Sequence, residues 1–596
     1  MKELFSLNPY LAKYKYRMLL GCIFIALSNW FGVFPAQIIR LAFDLVKDNL
    51  TNYQLTQNFN NQVILKNIIF HIVWLFGSLI VLIAIIKGVF MFFMRQTIIV
   101  VSRLIEYDLK NVIYNQYQKL TLAFYRQNNT GDLMNRVSED VSRVRMYIGP
   151  AIMYTLNLIV LFVLVISTMI SVNPMLTFYA LLPLPLLFVA IYYVQNTINI
   201  KSEQIQAQLS ILTTTVQETF SGIRIIKAFG REKQLANRFA TDSEVYKEKS
   251  MELVKVQSIF FPTILGLIGI STLFTVYFGG KEVINGSITA GNIAEFIVYV
   301  NILTWPVASV GWVTSLVQRA AASQKRINEF LSIVPEISNP NSNRFQFENY
   351  IEFKNVTFTY PDTQITAIDQ LSFKLNKGQT LAIVGKTGSG KSTLAQLISR
   401  MYDVSEGSII IDNQDIKNLN LNDWRNQLGI VPQEVFLFSD SIQNNITFGK
   451  DHCEYVEIEN AAKMAGVYDS IVSFPDGFKT MLGERGITLS GGQKQRVSIA
   501  RALIKAPKVL IFDDALSAVD TQTEEHILNN LAKNRKSSTN ILISHRVSTI
   551  KHADIIIYLA KGKMVEIGNH TQLLANKGPY FELYQKQLLA EQEKEA

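Results

Sequence analysis

Long stretches without a charged residue dominate the first half of the chain. Several have about the 20 residues that an α-helix needs to cross a bilayer: 18–39, 68–86, 256–280 and 296–318. A further uncharged stretch, residues 146–200, is long enough for two crossings. It contains the turn-prone pair Asn173-Pro174, which is expected to divide it. The pattern therefore predicts six membrane-spanning helices.

Helical sequence continues well beyond spans two to five. The connections after the second and the fourth span are each about 50 to 60 residues long and contain few helix breakers. We expect helices two to five to extend past the membrane as stalks that meet in two short tips. Turn-prone clusters place the first tip at residues 127–132 and the second near residues 221–224.

Lysine and arginine are distributed unevenly among the connections. The two long connections carry seventeen of them, whereas the three opposite connections carry Lys47, Lys66 and Lys281, apart from Arg40 at the border of the first span. Because cytosolic loops are enriched in these residues, the N-terminus, both long connections and the chain after Gln318 are predicted to be cytosolic. The net charge of +9 is then a consequence of topology, and no nucleic-acid partner is expected.

The composition agrees with a membrane protein. Of the 596 residues, 49% are hydrophobic and only 18% are charged, whereas soluble domains are nearer a quarter charged. The two cysteines, Cys22 and Cys453, lie far apart in the chain. They exclude a disulfide framework and a cysteine-based zinc or iron–sulfur site.

The pattern changes after residue 330. A polar linker at 338–343 is followed by short apolar runs that alternate with helical stretches, which indicates a mostly parallel sheet. Strands are predicted at 351–360, 380–384, 509–512, 540–544 and 555–559. We therefore expect a membrane domain at 1–328, a linker at 329–349 and an α/β domain with a helical insertion at 350–596.

A glycine-rich segment follows the strand predicted at 380–384. It fits the phosphate-binding pattern GxxxxGK[ST] and consists of Gly385, Lys386, Thr387, Gly388, Ser389, Gly390, Lys391 and Ser392. A helix opening with Thr393 follows, as the pattern requires. Backbone N–H groups and the helix N-terminus would surround phosphate oxygens. Lys391 would reach the β- and γ-phosphates, and the Ser392 hydroxyl would bind Mg²⁺.

An apolar strand ending in two acids comes later in the domain. It ends at Phe512 and is followed by Asp513 and Asp514. Together with the glycine-rich segment it predicts an ATP site in an α/β P-loop NTPase domain, in which Asp513 would hold the Mg²⁺. Asp514 would orient or polarise the attacking water.

A second anion-binding element lies farther along the chain. Ser490, Gly491, Gly492 and Gln493 open a predicted helix at 494–504. The first glycine-rich segment already surrounds the phosphates of one nucleotide. This element is therefore expected to close over a nucleotide held by another copy of the domain.

With these motifs the chain resembles an ATP-binding cassette (ABC) exporter half-transporter of the bacterial multidrug and lipid-export type, over nearly its whole length. Leu489–Gln493 matches the family signature. The further matching segments are Tyr360, Val431–Gln433, Gly483–Gly486, Ser517–Asp520, Ile543–Arg546, Thr130–Leu133 and Ser221–Arg224. The resemblance implies six transmembrane helices fused to one ABC cassette, with ATP and Mg²⁺ as cofactors.

The resemblance also implies roles for single residues. Tyr360 would stack on adenine, and Gln433 would contact both Mg²⁺ and the membrane domain. His545 would be the switch histidine that contacts the γ-phosphate. Thr130–Leu133 and Ser221–Arg224 would be the tips that dock on the cassettes, and Gly483–Gly486 the X-loop of exporters.

Asp514 departs from the family pattern. Members that hydrolyse ATP briskly carry Glu here, and an Asp carboxylate falls about 1 to 1.5 Å short, which can cost on the order of 100-fold in rate. The same Asp occurs in family members with a degenerate site that pair with a different half-transporter. The intact His545 and signature argue against a dead site. Both a homodimer and a heterodimer remain open.

The resemblance predicts an ATP-driven exporter or leaflet flippase that works by alternating access in the inner (cytoplasmic) membrane. Aromatic residues are plentiful in the spans, and charges there are few, which would suit a small amphipathic or hydrophobic substrate. Lys87 and Glu295 are the intramembrane charges of most interest. A regulator or ATP-gated channel on the same fold, a peptide secretor and an importer are the alternatives. Regulators and channels usually carry extra regulatory segments, and peptide secretors often carry an N-terminal protease domain. Importers usually place the membrane and ATPase parts on separate chains. None of these features is visible in the sequence.

Overall fold

A computed structural model of the chain describes residues 2–56, 59–339, 343–483, 486, 489–533 and 538–595. The chain forms two compact units. The first comprises Met1–Gln118 and Gly131–Ile333, and the second comprises Lys119–Thr130 and Val334–Ala596. The segment between the second and third long helices therefore belongs to the second unit.

Six long helices build the first unit within the described residues, and each is apolar enough to cross a membrane. The six predicted spans are thereby confirmed. The helices are Lys15–Leu55, Phe59–Lys119, Thr130–Val172, Pro174–Ser221, Glu232–Ile284 and Ala290–Leu331. Shorter helical segments lie at Lys2–Leu7, Asn8–Lys13 and Ile223–Phe229.

The length of the helices confirms the predicted stalks. The second helix has 61 residues and the fifth has 53. At 1.5 Å per residue these are about 80 to 90 Å long, against a hydrocarbon core of about 30 Å. The third helix contains two π-helical turns, at Arg136–Asp140 and Tyr147–Ala151. The fourth is built from Pro174–Leu181 and Pro183–Ser221.

The long uncharged stretch divides where the sequence predicts. The third helix ends at Val172, and the extended backbone of Asn173 starts the next helix at Pro174. The Asn173 side chain accepts a hydrogen bond from the Leu176 N–H at 2.9 Å, which satisfies one of the free donors at the helix start. Proline at the first helical position costs no hydrogen bond there.

A buried polar cluster joins the first and the sixth helix. Glu295 is completely buried, and one of its carboxylate oxygens lies 3.2 Å from a guanidinium nitrogen of Arg40. The Tyr299 hydroxyl donates to the same carboxylate at 2.8 Å, and the Asn292 amide donates at 3.3 Å. Glu295 is therefore a paired interior charge and does not extend its carboxylate to the membrane surface.

Two sheets form the second unit. The strands are β1 Tyr350–Thr359, β2 Thr366–Asn376, β3 Thr380–Gly385, β4 Glu406–Ile411, β5 Gln414–Asp415, β6 Leu428–Val431, β7 Val509–Asp513, β8 Thr539–Ile543, β9 Ile555–Ala560 and β10 Lys563–Gly568. The larger sheet has the order β10-β9-β3-β8-β7-β6, and only β10 is antiparallel to its neighbour. The smaller sheet has the order β2-β1-β4-β5 and is antiparallel.

The first predicted strand lies outside the parallel sheet. β1 alternates buried and half-buried residues and pairs with β2 and β4 in the antiparallel sheet. β3, β7 and β8 are instead buried along their whole length. Alternation is typical of a sheet with one face on the core, and unbroken apolar runs are typical of a sheet covered on both faces.

Helices cover the larger sheet, and several of them form the predicted insertion between β6 and β7. The helices of this unit are Leu122–Gln127, Lys391–Ile398, Ile416–Asn418, Leu421–Asn426, Ile442–Thr447, Tyr455–Met464, Tyr468–Val472, Gly477–Lys479, Gly491–Leu503, Thr521–Lys533, Val547–Ile550, His570–Ala575 and Pro579–Glu595. Ala123, from the short helix at the first tip, belongs to the main hydrophobic core of this unit.

One edge of the larger sheet collects the segments with candidate chemistry. Asp513 on β7 pairs with Ile543 on β8, and Ile383 on β3 pairs with the same residue. The three strands therefore end side by side. The glycine-rich segment leaves β3, Asp514 follows β7, and His545 follows β8. The carboxyl edge of a parallel sheet is where ligands bind in open α/β folds.

Candidate functional site

The glycine-rich loop runs from β3 to the helix Lys391–Ile398, so the predicted strand and helix on either side are confirmed. At two positions of the loop, a neighbouring backbone carbonyl lies too close for any residue but glycine. A Cβ on Gly390, whose φ is +97°, would lie 2.1 Å from the carbonyl oxygen of Ala367. A Cβ on Gly385 would lie 2.2 Å from the carbonyl oxygen of Leu559. The loop can adopt this tight path only with glycine at both positions.

Lys391 is held inside the loop. Its ammonium group donates to the carbonyl oxygens of Gly385 at 3.0 Å and Lys386 at 2.9 Å, and the residue is only 7% exposed. Burial lowers the pKa of Lys391, and the negative charges of Asp514 and Asp513 oppose that effect. The site thus contains a cation that is fixed in place and largely removed from water.

Ser392 and Asp513 meet at the centre of the site. The Ser392 hydroxyl donates to the Asp513 carboxylate at 2.9 Å, and Asp513 is buried. Burial raises the pKa of this carboxyl, and the hydrogen bond from Ser392 counteracts the shift. Oxygen donors with one or two carboxylates are what Mg²⁺ takes beside a phosphate chain, and the two side chains fit that role.

No group of three or more His, Cys, Asp or Glu side chains that could hold a metal ion occurs in the part of the chain that the structure describes. A transition-metal centre built from such a group is therefore not seen there.

Within the loop, the hydroxyl of Ser389 is buried and makes no hydrogen bond to the described residues. A buried donor of this kind costs free energy unless a ligand atom accepts from it, which suits a loop built to receive phosphate oxygens.

Asp514 has an unusual backbone conformation. Its φ is +49°, and its N–H donates to the Ile543 carbonyl at 2.9 Å across the β7–β8 boundary. The Ser517 hydroxyl donates to the Asp514 carbonyl at 2.8 Å. Asp and Asn adopt this left-handed conformation more readily than longer side chains. The shorter acid is thus well suited to the backbone at this position.

A cavity of about 580 Å³ joins these elements. It brings together most of the predicted site: Tyr360, Thr387, Gly388, Gly390, Lys391, Ser392, Thr393, Gln433, Asp513, Asp514 and His545. Three other residues of the glycine-rich loop do not line the cavity: Gly385, Lys386 and Ser389. A cavity of this volume, lined by one tyrosine ring, the glycine-rich loop and two carboxylates, suits a nucleotide with its phosphates.

Tyr360 is tied to the helix that follows the loop. Its hydroxyl lies 2.9 Å from the Thr393 hydroxyl and donates to the Gln396 side chain at 3.2 Å. These contacts fix the ring at one end of the cavity, where an aromatic platform for adenine was predicted.

Arg126 also lines this cavity, although the sequence motifs do not assign it to the site. The guanidinium carbon of Arg126 lies 4.8 Å from the centre of the Tyr360 ring. One guanidinium nitrogen of Arg126 donates to the Tyr402 hydroxyl at 3.5 Å, and another lies 3.7 Å from the Asp362 carboxylate. Arg126 immediately precedes the predicted first tip, and its only sequence signal is a cation beside a turn. The pairing with a ring 234 positions later in the numbering carries no local signal.

The signature segment lies elsewhere in the same unit. Ser490 caps the helix Gly491–Leu503 by accepting from the Gln493 N–H at 3.3 Å, and the Gln493 side chain accepts from the Ser490 N–H at 2.9 Å. A Cβ on Gly492 would lie 2.9 Å from the Ala518 carbonyl. None of the residues 490–493 lines the cavity around Lys391. Of the predicted X-loop, Glu484 and Arg485 lie outside the described residues.

Comparison with known proteins decides the family. Residues 18–307 match the family model described as the ABC transporter transmembrane region, and residues 368–517 match the model described as ABC transporter. The chain is 37% identical over 512 residues to the multidrug resistance-like ATP-binding protein MdlA of Escherichia coli, which covers 85% of this chain and 86% of the relative. The chain belongs to the ABC transporters, as an exporter.

Other relatives agree. The exporter is 35% identical over 510 residues to the ATP-dependent lipid A-core flippase of Syntrophus aciditrophicus, covering 85% of this chain and 84% of that one. Its structure matches that of a bacterial Atm1-family ABC exporter with ATP bound, with a TM-score of 0.75 and 26% identity over 97% of this chain and 99% of that chain.

The comparisons confirm several predictions. The chain fuses an exporter membrane domain to an ATP-binding cassette, and its activity is ATPase-coupled, ATP-driven export. It is a multi-pass membrane protein. The half-transporter exporter fold implies that the exporter dimerises.

Proposed function

We propose that the cavity at the carboxyl edge of the larger sheet is where this exporter binds and hydrolyses ATP. The observation that supports the proposal is the convergence in that one cavity of the Tyr360 ring, the glycine-rich loop, Asp513 and His545. Tyr360 provides the face for adenine. The phosphates lie along the loop from Gly385 to Thr393, where backbone N–H groups and the helix N-terminus favour negative charge.

Lys391, the two acids at the end of β7 and His545 have separate roles in phosphate binding and hydrolysis. Lys391 exchanges its bonds to the Gly385 and Lys386 carbonyls for bonds to phosphate oxygens. Asp514 positions and polarises the attacking water, and His545 contacts the γ-phosphate. Ser392, Asp513 and Gln433 are the residues that would hold Mg²⁺, which neutralises charge on the phosphates when bound.

The active unit contains two such sites, each completed by the signature segment of the other chain. Ser490, Gly491, Gly492 and Gln493 form a helix N-terminus outside their own nucleotide cavity. Such a helix start binds anions through free N–H groups and the helix dipole. The partner chain is either a second copy or a different half-transporter, and variants at Asp514 separate these two cases.

The membrane domain exports an amphipathic substrate from the cytosolic side of the inner (cytoplasmic) membrane. The uneven distribution of Lys and Arg supports a cytosolic N-terminus and cassette. A cavity of about 430 Å³ among the second, third and sixth helices supports the substrate class. It is lined by Arg95 and Gln96 next to apolar side chains, and the Tyr154 and Trp312 rings meet edge-to-face 5.5 Å apart.

The test is the magnesium-dependent ATPase activity of the purified exporter carrying Lys391→Ala. Loss of the fixed ammonium group should abolish turnover, whereas Lys377→Ala, at an exposed position of the same unit, should leave it unchanged. Turnover near that of the wild type in Lys391→Ala would refute the assignment of the site.

A further inference from the structure

The C-terminal helix Pro579–Glu595 reaches the backbone around His545. The Gln587 side-chain amide donates to the His545 carbonyl at 2.6 Å, and its oxygen accepts from the Val547 N–H at 2.8 Å. One side chain thus satisfies the backbone on both sides of Arg546. A paired contact of this kind fixes the direction of the chain as well as its distance.

Packing places Gln587 at this position. Tyr580 is completely buried in a cluster with Val547 and Ile550, and Leu583 and Tyr584 pack against the same cluster. Residues 580, 583, 584 and 587 follow the spacing of one helix face. The short helix Val547–Ile550 is therefore the surface on which the C-terminal helix docks.

The start of the C-terminal helix is also anchored. The Glu566 carboxylate on β10 accepts from the Tyr580 N–H at 2.9 Å. A negative charge at a helix N-terminus is favourable because it meets free N–H groups and the positive end of the dipole. The helix is thus fixed to the sheet seven residues before Gln587.

Other contacts hold the segment around His545 from the sheet side. The Arg546 guanidinium donates to the Ser517 carbonyl and to the Glu524 carboxylate, both at 2.9 Å. The Ser544 N–H donates to the Ile383 carbonyl at 3.3 Å. These bonds connect the segment to β3 and to the segment after β7. Gln587 adds the connection to the C-terminal helix.

We infer that Gln587 is a positioning residue for ATP hydrolysis, which fixes the backbone that carries His545 and so the reach of its imidazole into the nucleotide cavity. The inference rests on the role proposed above for His545. It gives the C-terminal helix a function in catalysis, since a shift of that helix would move the His545 carbonyl directly. Nucleotide binding, which depends on the loop and Tyr360, would be little affected.

The experiment uses the full-length exporter, purified as its dimer, with Gln587→Leu and Gln587→Glu. The first removes both hydrogen bonds. The second keeps an acceptor for the Val547 N–H and places a carboxylate oxygen against the His545 carbonyl. Gln585→Leu is the matched control, because Gln585 is exposed on the same helix. The measurements are kcat and KM for ATP, ATP affinity at equilibrium, and thermal stability.

Both Gln587 variants should lower kcat on the order of 10- to 100-fold, with ATP affinity and thermal stability close to those of Gln585→Leu. His545→Ala and the double variant His545→Ala/Gln587→Leu complete the cycle in single-turnover assays. If Gln587 acts through His545, the double variant should be no slower than His545→Ala alone.

Three results would overturn the inference. The first is unchanged turnover in Gln587→Leu. The second is that Gln587→Leu lowers the single-turnover rate by the same factor in the His545→Ala background as in the wild type. A parallel fall in ATP affinity and thermal stability is the third, since it assigns Gln587 a general structural role. Turnover near that of the wild type in His545→Ala would instead refute the role proposed for His545, and the inference with it.

Discussion

The guanidinium of Arg126 stacks on the ring of Tyr360, with 4.8 Å between its central carbon and the ring centre. Arg126 lies in the connection between the second and third long helices, and Tyr360 lies directly after β1. The two residues line the same cavity. The proposed adenine platform is therefore in contact with a segment whose two ends continue into membrane helices.

Arg126→Ala should weaken ATP binding by about 2- to 30-fold, since a guanidinium stacked on an aromatic ring contributes about 0.5 to 2 kcal/mol. Arg126→Lys keeps the charge but loses the planar stacking surface, so it should recover only part of the affinity. Equilibrium binding of ATP to the purified exporter measures both variants. An Arg126→Ala protein that binds ATP more tightly would show that the guanidinium competes with adenine for the ring.

Substitution of Asp514 distinguishes the two dimers. In a homodimer both sites carry the short acid, so Asp514→Glu should raise turnover about 10-fold by restoring reach to the water. The left-handed backbone at this position limits the gain, because Glu adopts it less readily. Asp514→Asn should abolish most activity in a homodimer and cost little in a heterodimer. The measurement is steady-state ATPase activity of the purified dimer.

Ser490→Arg tests the other half of the composite site. The substitution removes the cap of the helix Gly491–Leu503 and places a bulky side chain at the start of the signature segment. We expect a severe loss of turnover in either dimer. In a heterodimer, this loss should contrast with the mild effect of Asp514→Asn. Equal and severe losses in both variants would exclude the heterodimer, and wild-type turnover in Ser490→Arg would exclude the role of the signature segment.

The buried pair between Arg40 and Glu295 should matter for stability. Arg40→Leu leaves the carboxylate of Glu295 without its cationic partner in the protein interior, which typically costs about 3 to 5 kcal/mol. The double variant Arg40→Leu/Glu295→Gln removes both charges and should regain part of that loss. The apparent Tm of the detergent-purified exporter measures the effect. The single variant Glu295→Gln completes the comparison. If the losses of stability in Arg40→Leu and Glu295→Gln simply add in the double variant, the two charges do not interact.

The sequence predicted those features that neighbouring residues determine, such as helix starts, tight loops and membrane spans. Asn173-Pro174 divides the uncharged stretch because proline begins a helix and asparagine caps it. The glycine-rich segment was recognisable because the backbone around Gly385 and Gly390 leaves no room for a Cβ. The six spans followed from the absence of charge over 20 residues or more.

Contacts between distant parts of the chain could not be predicted. Glu295 meets a partner 255 positions away, and Gln587 meets the His545 carbonyl 42 positions away, neither with a periodic signal. The strand predicted at 351–360 was counted with the parallel sheet, which was wrong, because it pairs with β2 and β4 in the antiparallel sheet. Pairing partners of a strand depend on the whole fold.

The most direct test of the account is a crosslink across the composite nucleotide site. In an exporter with Cys22 and Cys453 replaced by serine, Ser389→Cys and Ser490→Cys would be introduced separately into two differently tagged copies, or into this chain and its partner. ATP should bring the two cysteines together, so that oxidation produces a covalent dimer only when nucleotide is present. A chain carrying both cysteines is the control. A disulfide that forms only within that chain, or the absence of any nucleotide-dependent covalent dimer, would contradict the account.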